Sequence, residues 1–123
     1  MNADKTVGPR KILVNKGARP EDKPIWIEGP HLYKINGNYF LMSAEGGTAG
    51  WHSEVIFRGD SPTGKFTPWK NNPILTQRQL DAERPNPVTC AGHADLVQTR
   101  EGGLVGSLSG LPSHKQHVRE FRT

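Results

Sequence analysis

The alternation of apolar and polar residues predicts a chain built from short β-strands. Residues 31–35 alternate, and residues 38–43 are rich in aromatic and aliphatic side chains. Asn36-Gly37 stands between the two runs, and this dipeptide favours a type I′ turn because both central residues of that turn need a positive φ. We therefore predict a β-hairpin with its tip at Asn36-Gly37, and no long helix across residues 32–41.

Further strands are predicted over residues 53–58 and 66–69, and the pattern restarts with strands over 94–99 and 104–108. When Gly29 is set against Gly92, an offset of 63 residues, each glycine is followed by strand, turn and strand. Repeats of this kind are typical of β-propeller blades, and two blades do not close a ring. The alternative is a small antiparallel sheet in which two hairpins resemble each other by chance.

Composition agrees with a β-rich chain and limits its size. The 123 residues form at most one ordinary domain or part of a larger one. The 14 glycines and 10 prolines favour short elements joined by turns over a helical bundle. The single Cys90 excludes an internal disulfide framework and any cysteine-rich zinc site.

The charge distribution and the hydropathy pattern argue against two kinds of partner. The formal net charge is +4, but lysine and arginine are scattered among acidic residues, and the one basic concentration covers residues 114–122. No nucleic-acid-binding signature accompanies it, so we expect a solvated basic tail and no nucleic-acid partner. No run approaches the roughly 18 apolar residues of a membrane span, so we expect no membrane partner. The compartment is not indicated by the sequence.

An acidic residue at a predicted strand entrance is the first candidate for chemistry. Glu28 comes directly before Gly29-Pro30 and the strand that follows. A carboxylate at such a place is held by the sheet but can still face a cleft, which suits proton transfer. The alternative is a solvated acid at the start of a strand. A similar cadence returns at residues 91–97, which contain His93.

An ordered set of motifs resembles glycoside hydrolase family 43, the five-bladed β-propeller β-xylosidases and α-L-arabinofuranosidases. The motifs lie, in order, at residues 26–34, 39–48, 52–55, 61–66, 71–76 and 86–97. The resemblance implies an all-β fold in which residues 1–123 form a fragment of about two blades of the catalytic propeller. Residues 104–123 would then be a divergent C-terminal tail.

The resemblance also implies roles for three residues. Glu28 matches the general acid of the family. Inverting glycosidases need such an acid to protonate the leaving oxygen, and a carboxylate about 6.5–9.5 Å away to activate water. His52 matches a substrate-binding position close to the sugar pocket, although a histidine in a loop is often only structural. His93 matches a histidine in the central channel that touches the catalytic centre or helps hold a metal ion or water, often calcium. The alternative is a hydrogen-bonded histidine within a strand. No cofactor is otherwise required.

Two departures from the family qualify this interpretation. The catalytic base and a second, pKa-modulating acid of the family are aspartates that precede the general acid, whereas only Asp4 and Asp22 precede Glu28 here, in different contexts. No base can be assigned, and we expect the chain alone to be inactive. After Gly103 the expected aromatic-rich strand is replaced by residues 104–110. A truncated or frameshifted reading frame would explain both departures.

The sequence therefore predicts a glycoside hydrolase fragment whose parent reaction is inverting hydrolysis of xylosyl or arabinosyl linkages in plant polysaccharides such as xylan. Its partner would be a xylo- or arabino-oligosaccharide. The alternatives are a non-catalytic propeller remnant that binds carbohydrate or a protein, and an unrelated basic β-rich binding module. Because of the repeat, we also expect Glu28 and His93 to approach each other at the same end of two neighbouring inner strands. Trp26 and Trp51 could stack on sugars or pack between blades.

Overall fold

A computed structural model describes residues 8–112, which form seven β-strands and a single 3-10 turn. The all-β prediction is confirmed, because the three-residue turn is the one helical element in this range. No helix between residues 8 and 112 is long and apolar enough to cross a membrane. The basic residues 114–122 lie outside the described range. The elements are the turn Pro20–Asp22 and strands β1 Ile27–Ile35, β2 Asn38–Glu45, β3 Ser53–Gly59, β4 Phe66–Pro68, β5 Leu75–Thr76, β6 Val88–Gln98 and β7 Leu104–Pro112.

The strands form two antiparallel sheets. The first has the order β1-β2-β3-β4, with β5 paired to the beginning of β3, and the second is the β6-β7 hairpin. The predicted hairpin tip is confirmed: Asn36 and Gly37 join β1 to β2, with φ values of 48° and 79°. One four-stranded meander and one further hairpin are thus described, and closure into a five-bladed propeller stays a prediction.

Strand β6 differs most from expectation. It begins at Val88, whereas the sequence predicts a strand from residue 94. Its pairing with β7 is irregular between Thr89 and Gly92 and again between Gly92 and Asp95. Cys90 and His93 have φ values of 54° and 53°, in the left-handed region that L-residues seldom adopt. Because each irregularity breaks the two-residue alternation, the first half of the strand gives no clear signal in the sequence.

The hydrophobic core lies between the first sheet and the segment that precedes it. Leu41 of β2 pairs with Phe57 of β3, and both are buried together with Val55, Phe66 and Ala18. The segment that holds Ala18 is attached by a hydrogen bond of 3.0 Å from the Ala18 N–H to the buried Glu45 Oε2. This packing fixes the central strands that carry the candidate site.

Strand β1 of the first sheet lies beside strand β6 of the second, and successive residues of β1 contact successive residues of β6 in the same direction. Gly29 lies against His93, His31 against Asp95, and the Tyr33 hydroxyl accepts a hydrogen bond from the Leu96 N–H. The partners are separated by 64, 64 and 63 residues, which matches the 63-residue offset between the two glycine motifs. The repeat in the sequence therefore corresponds to an adjacency in space.

Candidate active site

Glu28 lies at the beginning of β1, beside an irregularity that turns the strand. It pairs with Ala44 of β2, and the register then shifts before His31. Gly29 supplies a φ of 55°, and Pro30 has no N–H to give to the ladder, so the sequence itself produces the bulge. Glu28 is half-buried and lines a cleft of about 250 Å³. The other lining residues are Ile12, Leu13, Val14, Ile27, Pro30, Leu41 and Ser43.

The His93 imidazole lies directly against Gly29, the residue that follows Glu28. A Cβ on Gly29 would overlap Nε2 of His93 and approach its Cδ2 and Cε1 atoms to 2.8 Å. The repeat thus predicts the neighbourhood of Glu28 and His93 correctly. Its expectation that His93 lies at a strand start is wrong, because the bulged β6 begins five residues earlier, at Val88. Whether His93 holds a metal ion stays a prediction.

We expect Gly29→Ala to destabilise the chain more than Gly37→Ala does. Both glycines have positive φ, so alanine costs about 1–2 kcal/mol at either position. Only at Gly29 does the new Cβ also meet a side chain, and displacing His93 adds about 1–3 kcal/mol. Urea unfolding of the two variants measures the difference, and equal losses would show that His93 does not pack on Gly29.

A polar network continues along the contact between β1 and β6. The Tyr33 hydroxyl donates to Asp95 Oδ1 and accepts from the Leu96 N–H at 2.8 Å. His31 Nδ1 lies 3.4 Å from the same Asp95 oxygen. The hydrogen bond from Tyr33 and then the nearby His31 lower the pKa of Asp95, whereas burial and the bond to Asp95 raise the pKa of Tyr33. None of these residues was predicted from the sequence as a site residue, although Asp95 stands in the repeated motif at residues 91–97.

His52 is buried beneath β6. Its side chain is 1% exposed, and its Nδ1–H donates to the Cys90 carbonyl at 2.8 Å. Gly92 leaves room for the ring, because a Cβ there would lie 2.9 Å from Nε2. Nε2 is buried and has no hydrogen-bond partner within residues 8–112. Substrate binding by His52 stays a prediction, and in this arrangement the ring supports the backbone of β6 and offers no surface to a sugar.

Glu54 is the residue that the sequence analysis missed. It is 0% exposed, and its Oε2 accepts a hydrogen bond of 2.8 Å from the Ala94 N–H across to β6. Burial raises the pKa of Glu54 to about 7, against the opposing effect of hydrogen bonds from the Ala94 and His93 N–H groups. The available signal was a lone acid in the otherwise uncharged residues 53–57 of a predicted strand. Acids are seldom buried without a partner, so one that falls within a core strand calls for a specific role.

Two tryptophans, one just before β1 and one just before β3, are exposed in the described chain. Trp26 is 73% and Trp51 69% exposed. The Arg78 guanidinium lies 5.4 Å from the centre of a Trp51 ring and also donates to the Trp51 carbonyl. Neither ring is packed in the core, and stacking of either ring on a sugar or between blades stays a prediction.

The described residues contain no preformed set of side-chain ligands for a calcium ion. Between residues 8 and 112 no group of three or more His, Cys, Asp or Glu side chains is placed to hold a metal ion. Calcium prefers six to eight oxygen ligands, and a single imidazole such as that of His93 does not meet this requirement. The predicted channel ion therefore stays a prediction.

Comparison with known proteins gives a consistent family. The profile described as glycosyl hydrolases family 43 matches residues 1–113. A non-reducing end α-L-arabinofuranosidase of Bacteroides ovatus is 48% identical over 61% of this chain and 14% of its own length. A xylosidase/arabinosidase of Humicola insolens is 38% identical over 90% of this chain and 19% of its own length.

Solved structures agree with the sequence relatives. A family 43 subfamily 12 protein from a capybara gut metagenome superposes with a TM-score of 0.76 and 51% identity, covering 86% of this chain and 18% of that one. A xylan β-1,4-xylosidase of Bacillus halodurans superposes with a TM-score of 0.73 and 30% identity, covering 89% of this chain and 19% of that one. The chain thus spans less than a fifth of the length of each of these relatives. With residues 1–113 matched by the family profile, the chain belongs to glycosyl hydrolases family 43.

Proposed function

We propose that this chain is part of an inverting glycosidase that cleaves terminal xylosyl or arabinosyl linkages of plant polysaccharides, with Glu28 as its general acid. Relatives named as xylosidases and arabinofuranosidases support the substrate class. The observation that carries the residue assignment is the position of Glu28. It is half-buried at the beginning of β1, lines a cleft, and precedes the glycine on which His93 packs.

The two sheets fit a propeller in which the first sheet is one blade and β6-β7 begins the next. The parallel order of contacts between β1 and β6 is what neighbouring inner strands around a common channel would make. A two-stranded hairpin is marginally stable alone, so β6-β7 needs further strands or the first sheet beside it. About two of five blades would then be present, and His93 would face the channel next to the acid.

In the proposed reaction Glu28 gives its proton to the glycosidic oxygen as the bond to the sugar breaks. A second carboxylate, about 6.5–9.5 Å away, takes a proton from the attacking water on the opposite face of the sugar ring. No residue of this chain is assigned that second role, so the base would come from residues outside it. Glu28 must then return to its protonated form before the next turnover.

A hybrid enzyme tests the assignment of Glu28. Residues 8–112 replace the aligned segment of a full-length family 43 enzyme, and Glu28→Gln is introduced into the active hybrid. We expect kcat/KM to fall about 10²–10⁴-fold on xylobiose, whose leaving group needs protonation. The loss should be far smaller on dinitrophenyl xyloside, because a good leaving group departs without a proton.

The matched control for this variant is Glu21→Gln, which removes an exposed acid from the 3-10 turn near β1. This control should retain activity on both substrates. Equal losses of Glu28→Gln on the two substrates would contradict proton donation and indicate that Glu28 positions the sugar. Unchanged activity would reject any catalytic role.

A further inference from the structure

We propose that Glu54 is a positioning residue, which holds the bulged backbone of β6 so that His93 stays packed against the glycine that follows Glu28. The inference rests on the proposed function for the importance of Glu28, whereas the contacts described next do not depend on it. Glu54 belongs to the first sheet and His93 to the second, so the carboxyl joins the two sheets at the candidate site.

The pairing of β6 with β7 leaves a gap at this place. Gly92 pairs with Ser109 and Asp95 with Ser107, but His93 and Ala94 have no partner residue in the β7 register. Backbone N–H groups that are buried need an acceptor, and a bulge removes the ladder acceptor. Glu54 fills this need at Ala94, whose N–H donates to its Oε2 at 2.8 Å, and the neighbouring His93 N–H also lowers the pKa of the carboxyl.

The position of the His93 ring follows from that backbone. His93 has a φ of 53°, which is unfavourable for an L-residue unless surrounding contacts hold it. Ala94 is buried toward Glu54, while His93 is exposed and its ring meets Gly29 on the side of β1. The Glu54 carboxyl therefore binds the backbone of Ala94, and the preceding residue, His93, carries the imidazole that contacts Gly29.

Burial of Glu54 is unfavourable for stability by itself. Its Oε1 is buried with no hydrogen-bond partner within the described part of the chain. An unsatisfied buried polar atom destabilises a fold, and such atoms in native structures call for an explanation. An apolar side chain would avoid this cost but leave the Ala94 N–H without this acceptor. Control of the β6 backbone is the explanation we infer.

Nuclear magnetic resonance of the isotope-labelled 123-residue chain tests the inference without any enzymatic assay. Two quantities are measured: the hydrogen-exchange rate of the Ala94 amide and the imidazole resonances of His93. We expect Glu54→Leu to accelerate Ala94 exchange about 10-fold, because the hydrogen bond from the Ala94 N–H is lost, and to shift the His93 signals. Glu54→Gln keeps a side-chain oxygen acceptor and should preserve both.

The matched control is Glu45→Leu, because Glu45 is another buried acid that accepts a backbone N–H, from Ala18. It should alter the segment around Ala18 and leave the His93 signals in place. If Glu54→Leu does not yield folded protein, Glu54→Asp replaces it, since the shorter carboxylate no longer reaches Ala94.

Unchanged His93 resonances and Ala94 exchange in a folded Glu54→Leu or Glu54→Asp variant would overturn the inference. The inference would also be overturned if Glu45→Leu shifted the His93 resonances as much as Glu54→Leu does. The effect would then reflect a general loosening of the fold. These outcomes leave the proposed function intact. Equal losses on the two substrates for the hybrid Glu28→Gln enzyme would instead reject proton donation by Glu28 and leave the role of Glu54 in holding β6 untouched.

Discussion

The purified 123-residue chain is expected to leave nitrophenyl xyloside and nitrophenyl arabinofuranoside unhydrolysed. Proposed proton donation by Glu28 needs a partner carboxylate, and loss of general base catalysis alone removes about 10²–10⁴-fold in rate. The β7 strand, whose nine residues are all exposed, presents Leu104, Val105, Leu108 and Leu111 to solvent. Such surfaces promote association at high protein concentration. The measurement is release of nitrophenol at several protein concentrations.

The active hybrid enzyme serves as the positive control under the same conditions. Two outcomes would contradict the expectation in different ways. Robust turnover that Glu28→Gln abolishes would show that the chain supplies its own base, while supporting Glu28 as the acid. Turnover that Glu28→Gln leaves unaffected would reject both the need for further chain and the assignment of Glu28.

The elements that sequence predicts well are those determined by neighbouring residues. Asn36-Gly37 specifies its turn through the backbone conformations that these two residues tolerate, so the β1-β2 hairpin is found where expected. The beginning of β6 is set by distant contacts instead. His52 holds the Cys90 carbonyl and Glu54 holds the Ala94 N–H, and these contacts stabilise an irregular strand that local pattern does not reveal.

The candidate site divides in the same way. Glu28 and His93 are selected from motifs, because each stands beside a glycine of the repeated pattern and within a segment that resembles the family. Glu54 is not found, because its partners are backbone N–H groups about 40 residues away, and any residue type can supply these. The burial of His52 likewise depends on the missing side chain of Gly92. Side-chain motifs do not encode contacts of this kind.

The stability of the chain is expected to decrease as pH rises toward and past 7, and Glu54 is the cause. Burial raises the pKa of Glu54 from 4.5 to about 7 in the folded chain. Between these values the folded state binds more protons than the unfolded state, so the free energy of unfolding falls with increasing pH. A pKa difference of this size lowers the free energy of unfolding by an amount on the order of 3 kcal/mol when the pH changes from about 4 to about 8. Urea unfolding across this range measures it.

Glu54→Gln isolates this contribution, because glutamine resembles the protonated acid in shape and does not titrate. The variant should lack the part of the pH dependence that is due to Glu54, and the difference between the two curves cancels the other groups. His52 is two residues from Glu54 in the sequence, and Tyr33 interacts with the Glu54 charge. Both side chains are present in the two proteins. Parallel curves for the two proteins would mean that Glu54 has an ordinary pKa. Curves that converge at low pH and separate above about 5, with the native chain losing stability faster, would establish a carboxyl that is protonated in the folded chain near neutral pH.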